Sequence, residues 1–271
     1  EILKDTCAAG VGSGSIVSSD GYIATNGHVA IVTPKQSLLA WLNDDTHIDQ
    51  YVAFLLAAGL VSESDGALLT AGTARSSELL QSTVSQLPAD LLKATAATTL
   101  YAVQLGNDPV RMVRDGERLS VDFSDTIVSA TLIDQDYNPE ASDAALTTGQ
   151  FTTSDVALLK AEGSFPYVRL GSINTVEPGD RLTAIGFPAF IDNSVNTDQW
   201  QTIPSITQGE VKDISLDATV NGRKIISTSV QIAQGNSGGP SFNDDGEQIG
   251  INTYSDLQCE DLKCFGDGLV R

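Results

Sequence analysis

The chain has 271 residues, 35 acidic against 15 basic, and a formal net charge of -20. That charge repels nucleic acid and anionic lipid, and no segment approaches the ~18 consecutive apolar residues of a membrane span. Binding to either is therefore disfavoured, and no span is expected. A hydrophobic content of 41%, 24 glycines and short apolar runs between turn signals predict an ordered, mainly β protein with one helical region, long enough to bury its own core as one large or two small domains.

Residues 1 to 10 show no periodicity and are expected to form an arm. Ser13 to Ser19 and Tyr22 to Asn26 read as a hairpin, because Asp20-Gly21 supplies the positive-φ positions of a tight turn. His28 follows at the strand's end, and Val29 to Val32 are expected to form one helical turn before Pro34. Between Gln36 and Gln104 the pattern changes. Ile48, Val52, Leu55, Leu56 and Leu60 recur at helical spacing. Leu79, Leu80, Val84, Leu87, Leu91 and Leu92 do so again after Ser76 and Ser77, which read as helix caps, and Gly66 and Gly72 are expected to separate the two runs. This helical insertion of roughly 60 residues reads equally as a stabilising appendage and as a lid or docking surface.

Strand signals resume at Val110 to Val113, Leu119 to Phe123 and Thr126 to Ile133. Residues 134 to 154, rich in Asp, Asn, Thr and Ser, read as a surface loop leading to Asp155 at the edge of the first group of strands. Pro166 and Ser172 to Gly179 look like a connection to a second group: Asp180 to Phe187, Pro204 to Ile214, Arg223 to Val230, Gln248 to Tyr254 and Phe265 to Val270. Trp200 is expected in the core. The cysteines, Cys7, Cys259 and Cys264, allow one disulfide and one free thiol. Cys259 and Cys264 are close enough to clip the loop between them, a Cys7 link would tie the N-terminus to the second group, and sequence does not choose. They lack the paired spacing of a zinc site, and no metal is expected.

The stretch that bears chemistry is Gln234-Gly235-Asn236-Ser237-Gly238-Gly239-Pro240, three glycines and a proline around one serine. A serine hydroxyl needs a general base, and histidine suits that task. The chain offers two. His28 ends an alternating strand, Gly21 to Val29, and His47 lies in the polar run Asn43 to His47. An orienting acid is available in Asp155, followed at once by the apolar run Val156 to Leu159. Read singly, Ser237 is a turn residue and Asp155 an ordinary aspartate before a strand; read together, His28, Asp155 and Ser237 form a nucleophile, base and orienter in the order His, Asp, Ser.

With Gly12-Ser13-Gly14-Ser15-Ile16-Val17 and the tail Gly246 to Thr253, these stretches resemble the trypsin-like serine peptidases, and more closely their HtrA/Deg branch, over roughly residues 11 to 32, 126 to 190 and 204 to 255. The resemblance implies two six-stranded antiparallel β-barrels of the chymotrypsin type. Residues 1–170 would form the first, carrying His28 and Asp155 with the helical insertion at about 36–104, and residues 171–271 the second, carrying Ser237. It implies a serine endopeptidase with an acyl-enzyme intermediate and no cofactor, acting outside the cytoplasm in protein quality control or processing. The segment Gly235-Asn236-Ser237 would supply the oxyanion hole through backbone N–H groups. Ile232, Asn252, Thr253 and Tyr254 would line a pocket for a small or medium apolar residue, since Gln231 stands where enzymes specific for Lys or Arg place an aspartate. Protein or peptide substrates are the expected partners, with a second copy or another protein engaged through the insertion.

HtrA-type chains usually carry a peptide-binding PDZ domain after the protease unit. Here 19 residues follow Asn252, so that domain is expected to be missing, as is an export signal at the start. The competing reading is a silent peptide-binding scaffold that keeps the cleft. An esterase is disfavoured because the serine motif is not Gly-x-Ser-x-Gly and the order is not Ser, Asp, His.

Overall fold

Alternation in Tyr22-Ile23-Ala24-Thr25 puts Ile23 and Thr25 on the buried side, and this strand, β2 (Tyr22–Thr25), pairs antiparallel with β1 (Ser15–Ile16), with Ser15 opposite Ala24 and Ile16 opposite Ile23. Gly21 turns the hairpin at φ 94°, a region glycine enters without strain. The computed structural model describes residues 10–42, 45–72, 74–87, 99–108, 110–115, 118–138, 153–187, 203–217, 223–233, 235–255, 258–260 and 263–270. They divide into a β unit (Gly10–Ile31, Thr99–Asp192 and Asn196–Arg271) and a helical unit built mainly from Val32–Thr98.

In the β unit the first sheet has five strands in the order β1, β2, β7 (Val156–Ala161), β6 (Ile127–Asp136), β3 (Tyr101–Gln104), every pairing antiparallel. β7 is central. It buries Ala157, Leu159 and Ala161 against Ile23, Ala30 and Ala130, each larger apolar side chain worth roughly 1.5–3 kcal/mol on full burial. A one-turn helix, α1 (Gly27–Ala30), follows β2, and β4 (Met112–Asp115) with β5 (Arg118–Val121) forms a separate hairpin.

The second sheet closes on itself. β9 (Arg181–Gly186), β10 (Ser205–Asp217), β11 (Arg223–Ala233), β15 (Lys263–Val270), β13 (Glu247–Ser255) and β12 (Pro240–Phe242) form a ring in that order, because β13 pairs with both β12 and β15. This is a six-stranded antiparallel barrel around Val176, Leu182, Ala184, Val211, Ile226, Val230, Ile232, Ile249 and Val270. β8 (Arg169–Leu170) adds to β13 in parallel and β14 (Gln258–Glu260) adds to β15.

Among its described residues the helical unit holds four helices instead of two amphipathic runs: α2 (Pro34–Trp41), α3 (Asp45–Ala57), α4 (Glu63–Leu69) and α5 (Ala74–Gln86). They bury Leu38, Leu42, Tyr51, Val52, Leu55, Leu69, Val84 and Leu87 in a core of their own. Gly66 does not break the pattern. It lies inside α4, where a Cβ would come within 3.2 Å of Val52 Cγ1, so its missing side chain admits α3. Ser76 and Ser77 are likewise inside α5, not caps; Ser76 is buried and its hydroxyl donates to the Leu68 carbonyl at 2.6 Å. The cap is Ser62, which accepts the Asp65 N–H at 3.2 Å ahead of an acidic first turn. Other differences are local. The one-turn helix starts at Gly27, two residues before the expected stretch, and Asp134 to Asp136 extend β6 where a loop was expected, because the strand continues past a bulge at Leu132/Asp134. Cys7, Leu91, Leu92 and Trp200 lie outside the described residues. No described helix is long and apolar enough to cross a membrane.

Candidate active site

The strand β2 ends at Thr25, Asn26 stays extended, and α1 begins at Gly27, so the chain turns sharply into His28. Only glycine fits at 27, since a Cβ there would lie 2.2 Å from Tyr137 Cβ. His28 makes two bonds to one carboxylate: its backbone N–H donates to Asp155 Oδ1 at 2.8 Å and its Nδ1 meets Asp155 Oδ2 at 2.7 Å. An ionised carboxylate only accepts, so Nδ1 carries the proton and Nε2 is the acceptor nitrogen. Asp155 is 1% exposed and the imidazole 29%; the acid is sealed and the base reaches the surface.

Asp155 stands at the start of the central strand with φ 51°, a left-handed backbone that costs an L-residue roughly 1–2 kcal/mol. Two brackets hold it there. Fully buried Asn26 donates through Nδ2 to the Asp155 carbonyl at 2.8 Å and to Thr253 Oγ1 at 3.1 Å. Ser154, one residue earlier, donates its hydroxyl to Asp136 Oδ2 and its N–H to the same oxygen at 3.2 Å.

Ser237 sits half-buried in the turn between β11 and β12. Gly235 and Gly238 take φ 95° and 86°, which is why glycines flank it. The turn is anchored throughout: Asn236 N–H donates to Ala233 O at 3.0 Å, Gly239 N–H to Asn236 O at 2.9 Å and Gly238 N–H to Asn252 O at 2.9 Å. Ser13 reaches across from the first hairpin, its N–H donating to Ser237 O at 2.8 Å and its hydroxyl to Gly235 O at 2.7 Å. A Cβ on Gly238 would lie 2.2 Å from both Ser13 O and Thr25 Oγ1 and 3.1 Å from Asn26 N. The backbone after Ser237 is therefore packed on the end of β2 and on Asn26, two residues before His28. Among the described residues the N–H groups of Gly235 and Ser237 have no hydrogen-bond acceptor.

The expected pocket residues occupy framework positions. Ile232 is 3% exposed in the barrel core, and Asn252 is fully buried, accepting the Ser241 hydroxyl at 2.7 Å. Thr253, 3% exposed, donates to Ile251 O at 3.1 Å and accepts from Asn26. Tyr254 lies in β13 opposite Leu269 in register, and Gln231 is exposed in β11 opposite Asp267. His47 belongs to the helical unit, where its ring stacks on Trp41 at 4.0 Å and its Nδ1 bonds Trp41 O at 2.8 Å; His28 is the histidine bonded to Asp155. Sequence reasoning missed Ser13, Thr25 and Asn26. All three stand inside stretches that it quoted, but their partners are 12 to 222 positions away, and nothing local marks them.

Among known proteins, a probable periplasmic serine endoprotease, DegP-like, of Ectopseudomonas mendocina (strain ymp) is 42% identical over 101 residues, 37% of this chain. Serine protease HTRA1 of Xenopus tropicalis is 36% identical over 143 residues, 52% of this chain. The matches span only 19% and 27% of those two relatives. Among solved structures, the HtrA-type protease AlgW with decapeptide aligns over 96% of this chain and 47% of its own, at 19% identity and a TM-score of 0.46. The trypsin-like peptidase domain family matches residues 12–251, a span that holds His28, Asp155 and Ser237 alike, and the chain belongs to that family.

Proposed function

We propose that the chain is a serine endopeptidase unit in which Ser237 is the nucleophile, His28 the general base and acid, and Asp155 the orienting carboxylate. The observation that carries this reading is the pair of hydrogen bonds between His28 and the Asp155 carboxylate, which favours the tautomer with Nε2 as acceptor. Ser237 Oγ attacks the carbonyl carbon of a peptide bond while Nε2 takes the hydroxyl proton. The tetrahedral oxyanion is received by the N–H groups of Gly235 and Ser237, which have no acceptor among the described residues. Collapse breaks the C–N bond and the imidazolium returns its proton to the leaving amine. Water then repeats the sequence on the acyl ester, releasing the acid and restoring Ser237.

The family resemblance and the named relatives support protein or peptide substrates cleaved outside the cytoplasm. The test is Ser237→Ala. It should abolish casein cleavage and covalent labelling by a fluorophosphonate while the melting temperature holds; undiminished turnover by that variant refutes the assignment. Labelling of Ser237 without turnover of any member of a peptide library would favour the silent scaffold. For the helical unit the proposed role is control of access or docking of a protein or second copy, since it has its own core and leaves the chain four residues after His28. Replacing residues 45 to 100 by a short Gly-Ser linker should speed small-peptide cleavage if it is a lid, or impair protein substrates alone if it docks them. Unchanged kinetics on both would make it an appendage.

A further inference from the structure

The motif residue that the proposed chemistry leaves unused is Ser13. It is 6% exposed and makes four hydrogen bonds to three separate places in the chain. Its hydroxyl donates to Gly235 O at 2.7 Å and accepts the Phe187 N–H at 2.8 Å. Its N–H donates to Ser237 O at 2.8 Å, and its carbonyl accepts the Thr25 hydroxyl at 2.7 Å. One residue thus holds the carbonyl of the nucleophile and the carbonyl two residues before it. The same residue is held in turn by Thr25, the last residue of β2, and by the backbone just past β9.

The consequence follows from peptide planarity. The Gly235–Asn236 peptide is fixed at its oxygen by Ser13 and at its nitrogen by Ala233 O; the Ser237–Gly238 peptide is fixed at its oxygen by Ser13 and at its nitrogen by Asn252 O. The Asn236–Ser237 peptide between them is bonded at its oxygen by Gly239 N–H, and its nitrogen is the N–H of Ser237. With its own oxygen bonded within the turn and both neighbouring planes pinned from outside it, the direction of that N–H is fixed. Gly235, at φ 95°, is the residue whose freedom would otherwise let its own N–H swing. Buried donors aimed at a developing oxyanion act because they need no reorganisation during the reaction.

We propose that Ser13 is a positioning residue for the oxyanion-stabilising turn, keeping the N–H groups of Gly235 and Ser237 aimed by holding the carbonyls of those same two residues. This inference rests on the peptidase reading above. Ser13 touches no reacting atom, and its effect reaches the transition state only through the turn.

Ser15 supplies a matched control. It is the same residue type in the same hairpin, also 6% exposed, and its hydroxyl donates to Gln248 Oε1 at 2.8 Å, in β13 and not in the turn. The experiment compares Ser13→Ala, Ser13→Cys and Ser15→Ala on one cleaved peptide, with kcat divided by the fraction of Ser237 that a fluorophosphonate titrates, so that unfolded molecules are not counted. Ser13→Ala should lose about 10- to 100-fold in kcat with KM within about twofold, as misaimed oxyanion donors cost. Ser13→Cys keeps the volume but offers only a weak S–H donor, and should lose a similar factor in a fully folded protein. Ser15→Ala should stay within about threefold of the parent, as expected for a hydroxyl outside the turn. A parent chain that neither labels nor turns over refutes the peptidase reading itself. A parent that labels and turns over, with Ser13 variants no slower than Ser15→Ala or altered only in KM, overturns the role of Ser13 and leaves that reading standing.

Discussion

Asp155→Asn isolates what the buried carboxylate does, because the amide has the same shape and the bonds around it dictate which way it turns. The His28 backbone N–H donates to Oδ1 at 2.8 Å, and an NH2 group placed there would set donor against donor. The amide oxygen therefore stays at that position and the NH2 faces His28 Nδ1, 2.7 Å away. Nδ1 must then accept, which moves the imidazole proton to Nε2, the nitrogen meant to take the proton of Ser237. Loss of the right tautomer costs roughly 10⁴-fold in kcat, about 5 kcal/mol of barrier. Stability should be almost untouched, since a 1% exposed charge is replaced by a neutral group that keeps the backbone bond. The assay is kcat and KM on a cleaved peptide at neutral pH, with the fluorophosphonate labelling rate of Ser237 alongside. A variant within tenfold of the parent in both rates would refute the argument that Asp155 sets the tautomer.

Three further outcomes are expected. Gly238→Ala combines a backbone at φ 86° with a Cβ 2.2 Å from the Ser13 carbonyl oxygen and Thr25 Oγ1, and should cost about 3–5 kcal/mol in urea unfolding; a midpoint unchanged from the parent contradicts the packing described. Burial raises the Tyr51 phenol above its ordinary value of 10.0, against a smaller opposite effect of the Thr83 hydrogen bond. Its folded form thus holds the proton longer than the unfolded chain, so its contribution is complete below about pH 10 and is lost as pH rises through the folded value. Helical circular dichroism melts should show that alkaline loss in the parent and a shallower one in Tyr51→Phe. Cys259 and Cys264 lie directly opposite in the β14–β15 register, a backbone arrangement that suits a disulfide between them, one of the pairings the three cysteines allow. A non-reducing peptide map should recover the two segments joined, and recovery of both as alkylated thiols would rule the bridge out.

How far the sequence could be read depends on the range of the interactions involved. Tyr22 to Thr25 announces itself because alternation is local, and Val156 to Leu159 as a local apolar run; the two lie in neighbouring strands of one sheet. The serine turn was legible for the same reason: its glycines answer a local demand for positive φ. β12 was missed because Pro240-Ser241-Phe242 is three residues long after a glycine run, and its strand character comes only from β9 and β13 on either side. Gly66 was misread because composition marks it as a breaker, whereas its reason lies in α3. The candidate site divides in the same way. His28 and Asp155 stand out by chemistry and context. Asn26 reads as an ordinary residue before a helix, although it bonds partners 129 and 227 positions away, and no window along the chain contains that fact.

The Tyr101 hydroxyl donates to the Ala30 carbonyl at 3.0 Å, joining residues 71 positions apart. Ala30 is where the chain departs toward the four helices, and Tyr101 opens β3 on its return. The two ends of that excursion are thus tied to one sheet, whatever lies between them. Loop closure grows only as the logarithm of length, about 0.6 kcal/mol per doubling, so the sheet is nearly indifferent to how many residues the excursion holds. The junction is in effect a splice point. A foreign domain whose termini lie close together should be accepted there.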